Sequence, residues 1–488
     1  MLERKLSVLM AVSEAAPFAR TGGLGDVAGA LPGALQNLGA RVSVIMPFYR
    51  TVRKPGAEPS TVIERLPVPA GNLVLEASVG KLQVEDGVDI YFLDREDLYD
   101  RPNLYGGSIG DYYDNPERFS FFCHGVLRAA SELGLHPDIV HCHDWQAALV
   151  APLLAGPYRK TNGLQGSRSV LTIHNIGYQG IYPAERFAAT GLSPGVFFHP
   201  EGLEYWGNMN LLKGGIVYAD AVTTVSPSYA REIQTEEFGM GLEGVLRTRS
   251  ESLHGILNGV DYRVWNPATD RWIAARYSAG NMDGKSACRR DLIARCGLDQ
   301  SALDRPVLGI VSRLDRQKGL DLVVGAADSL LKSGASLVIL GTGDPAIQTD
   351  LKEAAARMPG RMAVIVGFDD EMAHRIIAGS DMLLVPSRYE PCGLTQIYAL
   401  KYGTVPVVRA VGGLEDTVVD VDASSGPGTG FKFRDYNLPS FVRAVRRALK
   451  AFKQPEIWNP VVDAGMAADF SWKRSAGRYL DLYRTIAG

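Results

Sequence analysis

Short, almost wholly apolar runs punctuate this chain, and most lead through a turn into a helix-like stretch. LSVLMAVS (6–13), RVSVIMPF (41–48), SVLTIHN (169–175) and YADAVTTVS (218–226) form a first set. VLGIVS (307–312), SLVILGTG (336–343), MAVIVGF (362–368), SDMLLVPS (380–387) and TVPVVRAV (404–411) form a second. Runs of this length without polar alternation are strands covered on both faces, as in parallel sheets wrapped by helices. Strand and helix alternate twice over, with a turn-rich break at 255–268 (GILNGVDYRVWNPA). That pattern predicts an α/β protein of two doubly wound domains facing each other across a cleft.

The expected division is 1–254, 255–470 and a closing amphipathic helix over 471–488, and 488 residues exceed what one ordinary core supports. Residues 60–93 read as a β-rich excursion and 94–116 as an irregular loop, and Pro32 predicts a kinked or shortened first helix. A net charge of −3 argues against a general nucleic-acid binder, whose basic surface would show in the composition. Five cysteines (123, 142, 288, 296 and 392) form no CxxC pair, so they read as reduced thiols of a cytoplasmic protein. The N-terminal KLSVLMAVSE reaches an acidic residue, Glu14, too soon for a signal peptide and reads as a strand. No apolar run approaches the ~18 residues of a membrane span.

Chemistry concentrates where strands end. SRLDRQKGLD (312–321) carries Arg313 and Lys318, and PSRYEPCGLTQ (386–396) carries Glu390 before a turn that opens a helix. In doubly wound sheets the carboxyl ends of strands form the ligand crevice, so these three side chains are expected to converge on one ligand, a phosphorylated one. Cations at a helix start oppose its macrodipole and need another reason to be there. A bound diphosphate supplies that reason. The amides of Gly393, Leu394 and Thr395 begin a helix and suit phosphate oxygens, whereas Cys392 reads as a small packing residue. AVGGLEDTV (410–418) repeats the strand and double-glycine pattern beside them.

In the first half, TGGLGDVAG (21–29) lets backbone approach a ligand at Gly22 and Gly23, with Asp26 placed to cap the helix. HCHDW (141–145) puts two histidines on one face of a strand, which lacks the third ligand of a metal site. Asp144 stands either as a sugar-hydroxyl acceptor or as the N-cap of the following helix. His174 in IHNIGYQG (173–180) stands at another strand end. ILNGVD (256–261) reads as a type I′ turn, with Asn258 also placed to face the cleft.

These motifs, in this order, resemble the glycogen and starch synthase family of retaining glycosyltransferases, in particular its bacterial ADP-glucose-dependent members. The likeness runs from the first strand to near the C-terminus. It implies the GT-B fold, two Rossmann-like domains with a C-terminal helix crossing back to the first. It also implies transfer of glucose from ADP-glucose to the non-reducing end of an α-1,4-glucan, with no metal or other cofactor. Neither nucleic acid nor membrane is an expected partner. By resemblance, Arg313 and Lys318 hold the diphosphate, Glu390 binds donor glucose, and the turn from Cys392 through Thr395 completes the phosphate cradle. Asp144 and His174 act on the glucose side, Gly22, Gly23, Asp26 and Asn258 match further donor-site positions, and Tyr105 is a candidate for sugar stacking. Arg20 stands where the family commonly has lysine, so charge is kept and geometry is not. Tyr398 stands where many retaining GT-B enzymes carry a second glutamate. Two alternatives stay open at this point: a glucan phosphorylase with a pyridoxal cofactor, and a two-lobed sugar-nucleotide-binding protein without catalysis.

Overall fold

The computed structural model describes residues 5–53, 58–84, 86–107, 110–422 and 426–488; residues 108 and 109 of the irregular 94–116 loop lie outside them. The chain divides into two compact units, Met1–Gly259 with Trp472–Gly488, and Val260–Ser471.

The first unit is built on a nine-stranded sheet. From one edge it runs Leu253–Gly255, Ala221–Thr224, Arg168–Ile173, Ile139–His143, Ser7–Ala11, Arg41–Pro47, Asp89–Asp94, Leu73–Gln83 and Ser60–Ala70. The first seven pair in parallel, and the last two add antiparallel, which is the excursion read from residues 60–93. Ser7–Ala11 and Ile139–His143 are buried at every position, as strands covered on both faces must be. The strand order reverses direction beside Ser7–Ala11, which has Arg41–Pro47 on one side and Ile139–His143 on the other. The closing helix Trp472–Ala487 belongs to this unit and buries Trp472, Ala476, Tyr479, Leu480 and Tyr483, one stripe at helical spacing.

The second unit carries a six-stranded parallel sheet in the order Met362–Val366, Ser336–Gly341, Val307–Val311, Met382–Val385, Val405–Arg409, Phe431–Phe433. Alternate residues feed two separate cores. Leu308, Ile310, Leu337 and Ile339 pack into one; Val307, Val338 and Leu340 pack into the other. A strand that fills cores on both sides explains the unbroken apolar runs. The order reverses between Val307–Val311 and Met382–Val385.

Two local expectations are corrected. The helix Gly23–Asn37 is not shortened by Pro32, which lies inside it and is buried with Leu31 and Leu35; apolar packing outweighs the lost backbone hydrogen bond. Asn258–Gly259 is no type I′ turn, since neither residue has a positive φ. Gly259 is required for a different reason: a Cβ there would collide with the backbone of Trp472. Among the described residues, no helix is long and apolar enough to cross a membrane.

Candidate active site

Each unit gathers its candidate residues where its strand order reverses, at the carboxyl ends of the central strands, the position a doubly wound sheet gives to ligands. In the second unit, Val307–Val311 leads into the loop 312–319 and Met382–Val385 into the loop 386–394. The two loops interlock. Arg388 donates its backbone N–H to the Gln317 carbonyl at 2.8 Å. Gly319 has φ +72° and lies so close to the Pro386 carbonyl oxygen that no Cβ fits.

Across that seam Lys318 Nζ donates to Glu390 Oε2 at 2.6 Å, and Ser387 Oγ donates to the same oxygen at 2.9 Å. Glu390 is buried and Lys318 mostly so. Among the described residues Glu390 Oε1 has no protein partner, so the carboxylate is anchored through one oxygen and open to a hydroxyl at the other. Arg313 does not join this pair. Its half-exposed guanidinium is held by Asp315 at 3.0 Å and donates to Gln317 Oε1 at 2.8 Å. The structure thus brings Lys318 and Glu390 together and keeps Arg313 on its own loop.

The helix Thr395–Lys401 starts from Leu394 with no side-chain cap. The amides of Gly393, Leu394 and Thr395 donate to no protein acceptor among the described residues, while Gln396 Nε2 secures the turn by donating to the carbonyls of Cys392 (3.1 Å) and Gly393 (3.0 Å). Gly413 donates its N–H to the Glu390 carbonyl at 3.0 Å, and a Cβ on it would strike the Cys392 carbonyl oxygen. The second double-glycine motif is therefore the floor under the Glu390 turn. Cys392 is buried. Tyr398 stacks on Trp265 with ring centroids 3.9 Å apart, an aromatic packing role in place of a second carboxylate.

In the first unit, Glu14 organises the glycine loop. Its Oε2 accepts from the Thr21 N–H and its Oε1 from the Thr21 hydroxyl and the Tyr105 hydroxyl, all at 2.6 Å. Tyr105 also meets Ser13 Oγ at 2.8 Å, and its ring lies 5.9 Å from Phe119. Gly22 is the N-cap of Gly23–Asn37 with no side-chain cap bond, so Asp26 does not cap; it lies inside the first turn and pairs with Arg20 at 3.1 Å. A Cβ on Gly22 or Gly23 would touch no protein atom, and neither has a positive φ. Nothing in the protein demands glycine there, whereas a ligand approaching the backbone would.

Asp144 follows the strand Ile139–His143 with φ +54°, a strained value for a residue with a Cβ. It is not the N-cap; that position belongs to His143. Its carboxylate accepts from the His174 N–H at 2.7 Å and from the Asn175 amide, and burial pushes its pKa up to about 7. His174 Nε2 lies 3.0 Å from His143 Nδ1. His143 is fully buried and its Nε2 has no partner. A buried N–H without an acceptor costs more than a bare lone pair, so the proton of His143 belongs on Nδ1 and is donated to His174. His174 then carries its own proton on Nδ1, which meets no protein partner among the described residues. Burial pushes the pKa of His174 down to about 3, so it offers a neutral N–H donor. His141, the other histidine of the motif, is held by Thr172 (2.6 Å) and Tyr483 (2.6 Å) rather than turned toward a ligand. Asn258 is buried and its Oδ1 has no partner, an acceptor awaiting a donor.

Glu14, Ser387, Gln317 and His143 were missed as site residues from sequence. The single signal for Glu14 was an acid at the end of an apolar strand.

Two doubly wound α/β units with polar groups at the points of strand reversal, together with the matches to known families and structures, place the chain among glycosyltransferases of the GT-B class. Residues 7–248 match the starch synthase catalytic domain family and residues 299–460 the glycosyl transferases group 1 family. The chain belongs to the glycogen synthase family: it is 47% identical over 479 residues to the glycogen synthase of Syntrophotalea carbinolica, covering 98% of each chain. It is equally similar to the glycogen synthase of Koribacter versatilis, at 47% identity over 478 residues and 98% of each chain. Among solved structures, the catalytic domain of starch synthase IV from Arabidopsis thaliana bound to ADP and acarbose matches with a TM-score of 0.92 and 34% identity. That match covers 99% of this chain and 100% of the other.

Proposed function

We propose that this enzyme extends an α-1,4-glucan such as glycogen at its non-reducing end, with glucose from ADP-glucose and with retention at the transferred carbon. The observation that carries the reading is the Lys318–Glu390 pair at 2.6 Å beside the amides of 393–395, which have no protein acceptor. An ammonium and a row of free N–H groups suit a diphosphate, and a carboxylate with one open oxygen suits sugar hydroxyls. The ADP bound to the similar starch synthase IV supports an adenine nucleotide donor.

In this reading Lys318 and Arg313 meet the charge that develops on departing ADP, with the guanidinium leaving Asp315 and Gln317 for phosphate. Electrostatic stabilisation of the leaving group then supplies most of the acceleration. Glu390 Oε1 holds donor glucose, and the His174 Nδ1–H donates to a glucose hydroxyl. Asp144 fixes the backbone that presents His174. Gly22 and Gly23 give the donor close access to backbone, flanked by Arg20 and Asp26, and Asn258 accepts from a hydroxyl. Tyr105, its hydroxyl tied to Glu14, offers only a ring face to sugar. No side chain stands out as a covalent nucleophile, so the acceptor attacks on the face the diphosphate leaves, which takes up its proton. The reaction so proposed uses neither a metal nor a cofactor. Five free cysteines fit a cytoplasmic setting.

The test is transfer of radiolabel from ADP-glucose, or from UDP-glucose, into precipitable glycogen. Label from ADP-glucose with release of ADP is expected. Incorporation that requires glucose 1-phosphate instead would assign the phosphorylase reading, and binding without ADP release the non-catalytic one.

A further inference from the structure

A small antiparallel sheet in the first unit, Ile181–Pro183, Asn208–Asn210 and Glu204–Tyr205, carries a feature the proposed reaction leaves unused. Tyr205 pairs with Asn208, so Trp206 and Gly207 form a two-residue hairpin turn with φ +51° and +80°. Such a turn requires left-handed backbone at both positions and favours Asn-Gly. Tryptophan is a poor choice for the first of them, and this one is 84% exposed, whereas the other five tryptophans are buried or partly buried. A second strained turn lies against the first. Met240 and Gly241 have φ +49° and +85°, and a Cβ on Gly241 would strike the Tyr205 hydroxyl. The Met240 carbonyl in turn accepts from Gln179 Nε2 at 3.0 Å. Gln179 follows Tyr178, which is 53% exposed and stands on the same loop as His174.

Trp206, Met240 and Tyr178 are thus exposed apolar side chains on backbones tied to one another, leading from the loop of His174 to the hairpin tip. The charged group bonded to the tip is an anion, Glu204, whose Oε1 accepts from the Gly207 N–H at 2.7 Å. Exposed uncharged side chains beside a carboxylate repel a phosphorylated donor, and a ring such as that of Trp206 suits a neutral chain whose C–H faces pack on it. We propose that this surface, anchored by Trp206, is a binding site for the polymeric glucan, separate from the groups that hold the donor. The proposal rests on the glucan-extending reading and adds a contact that only long acceptors reach.

The test replaces Trp206 by asparagine, the residue the turn prefers. The Trp206→Asn protein is expected to melt no lower than the parent, yet to co-sediment with glycogen about tenfold more weakly, the scale of one lost aromatic contact. Its apparent KM should rise for glycogen but not for maltotriose. The parent's tryptophan fluorescence should shift with maltoheptaose, and that shift should vanish in the variant. Unchanged glycogen co-sedimentation, or an equal rise in KM for short and long acceptors, would overturn the proposal. Co-sedimentation needs no turnover, so it decides the matter even if ADP-glucose proves not to be the donor.

Discussion

Lys318 and Arg313 are both assigned to the diphosphate, yet their protein partners differ, and the difference separates catalysis from stability. Replacing either by alanine is expected to cost about 2.7–4 kcal/mol in kcat/KM, the scale of losing a preorganised charge-stabilising group. Lys318→Ala also strands the buried Glu390 carboxylate with only Ser387, so urea denaturation should register a further loss of about 3–5 kcal/mol. Arg313→Ala should lose less than about 1 kcal/mol of stability, because its ion pair is half exposed. His143 invites a sharper substitution. His143→Asn keeps an N–H where Nδ1 stood and should retain most of kcat, whereas His143→Leu removes the donor and should lower kcat more than it raises KM. Long-range 15N spectra of the imidazoles would show His174 leaving its Nδ1–H form in the leucine variant alone. The buried ionisable groups also set the pH response. His141 and His174 are held neutral down to about 3, against 6.5 in the unfolded chain, and His143 is shifted the same way. The stability they confer is full above pH 6.5 and is lost as pH falls below it. Asp144, raised from 3.8 to about 7, acts oppositely: its folded form keeps a proton that the unfolded chain releases, so its contribution falls as pH rises from 3.8 to 7. Among the described residues five histidines are shifted down (His124, His141, His143, His174 and His254) against two carboxylates shifted up (Asp144 and Asp381), so denaturation curves should show net loss on acidification below pH 6.5, and Asp144→Asn should steepen it. Of these residues, Asp144 and His174 were legible because each directly follows an apolar run, and Lys318 and Glu390 because each lies in the loop such a run leads into. Ser387 looked like an ordinary strand-end residue, although its bond to Glu390 is made within one loop; His143 was read only as half of an incomplete metal pair, and its role arises from its contact with His174 on the next strand end.

At the scale of elements, the glycines sort into two kinds that sequence does not distinguish. Gly319 and Gly413 are demanded by the protein: one has a positive φ and both press on a carbonyl oxygen. Gly23 opens a helix into space. Gly23→Ala should leave the melting temperature unchanged or raise it, since alanine in a helix is favoured over glycine by about 0.5–1 kcal/mol. The same change should weaken ADP-glucose binding in calorimetry. Gly413→Ala should lower stability and activity together, because the Glu390 turn must move to admit a Cβ. If Gly23→Ala binds donor normally, that glycine has no part in the site. The strands were the most legible elements, since burial on both faces writes an unbroken apolar run. Turns were the least. Asn258–Gly259 has the composition of a hairpin turn but lacks its left-handed backbone, because Trp472, more than two hundred residues away, packs against Gly259. Pro32 likewise reads as a helix breaker, and only its burial beside Leu31 and Leu35 explains why the helix goes on.

For the whole molecule, chain continuity and compactness disagree, and that disagreement has consequences. The second unit is one uninterrupted segment, Val260–Ser471, with its own six-stranded sheet and cores on both faces. The first unit is Met1–Gly259 completed by Trp472–Gly488. The closing helix contributes Trp472, Ala476, Tyr479, Leu480 and Tyr483 to the interior, and Tyr483 supplies the hydrogen bond to His141 at 2.6 Å. A large apolar side chain is worth about 1.5–3 kcal/mol on burial, so losing this stripe removes an amount comparable to the whole net stability of a domain, about 5–15 kcal/mol. A fragment of residues 260–471 should therefore fold alone with a cooperative melt. A fragment of residues 1–259 should not, and a separate peptide of residues 472–488 should rescue it in a concentration-dependent way. Circular dichroism melts of the three samples check this directly. A cooperative transition in residues 1–259 alone would mean that the helix is an attachment to a finished core, and that the Tyr483–His141 contact has no bearing on the histidines behind His174.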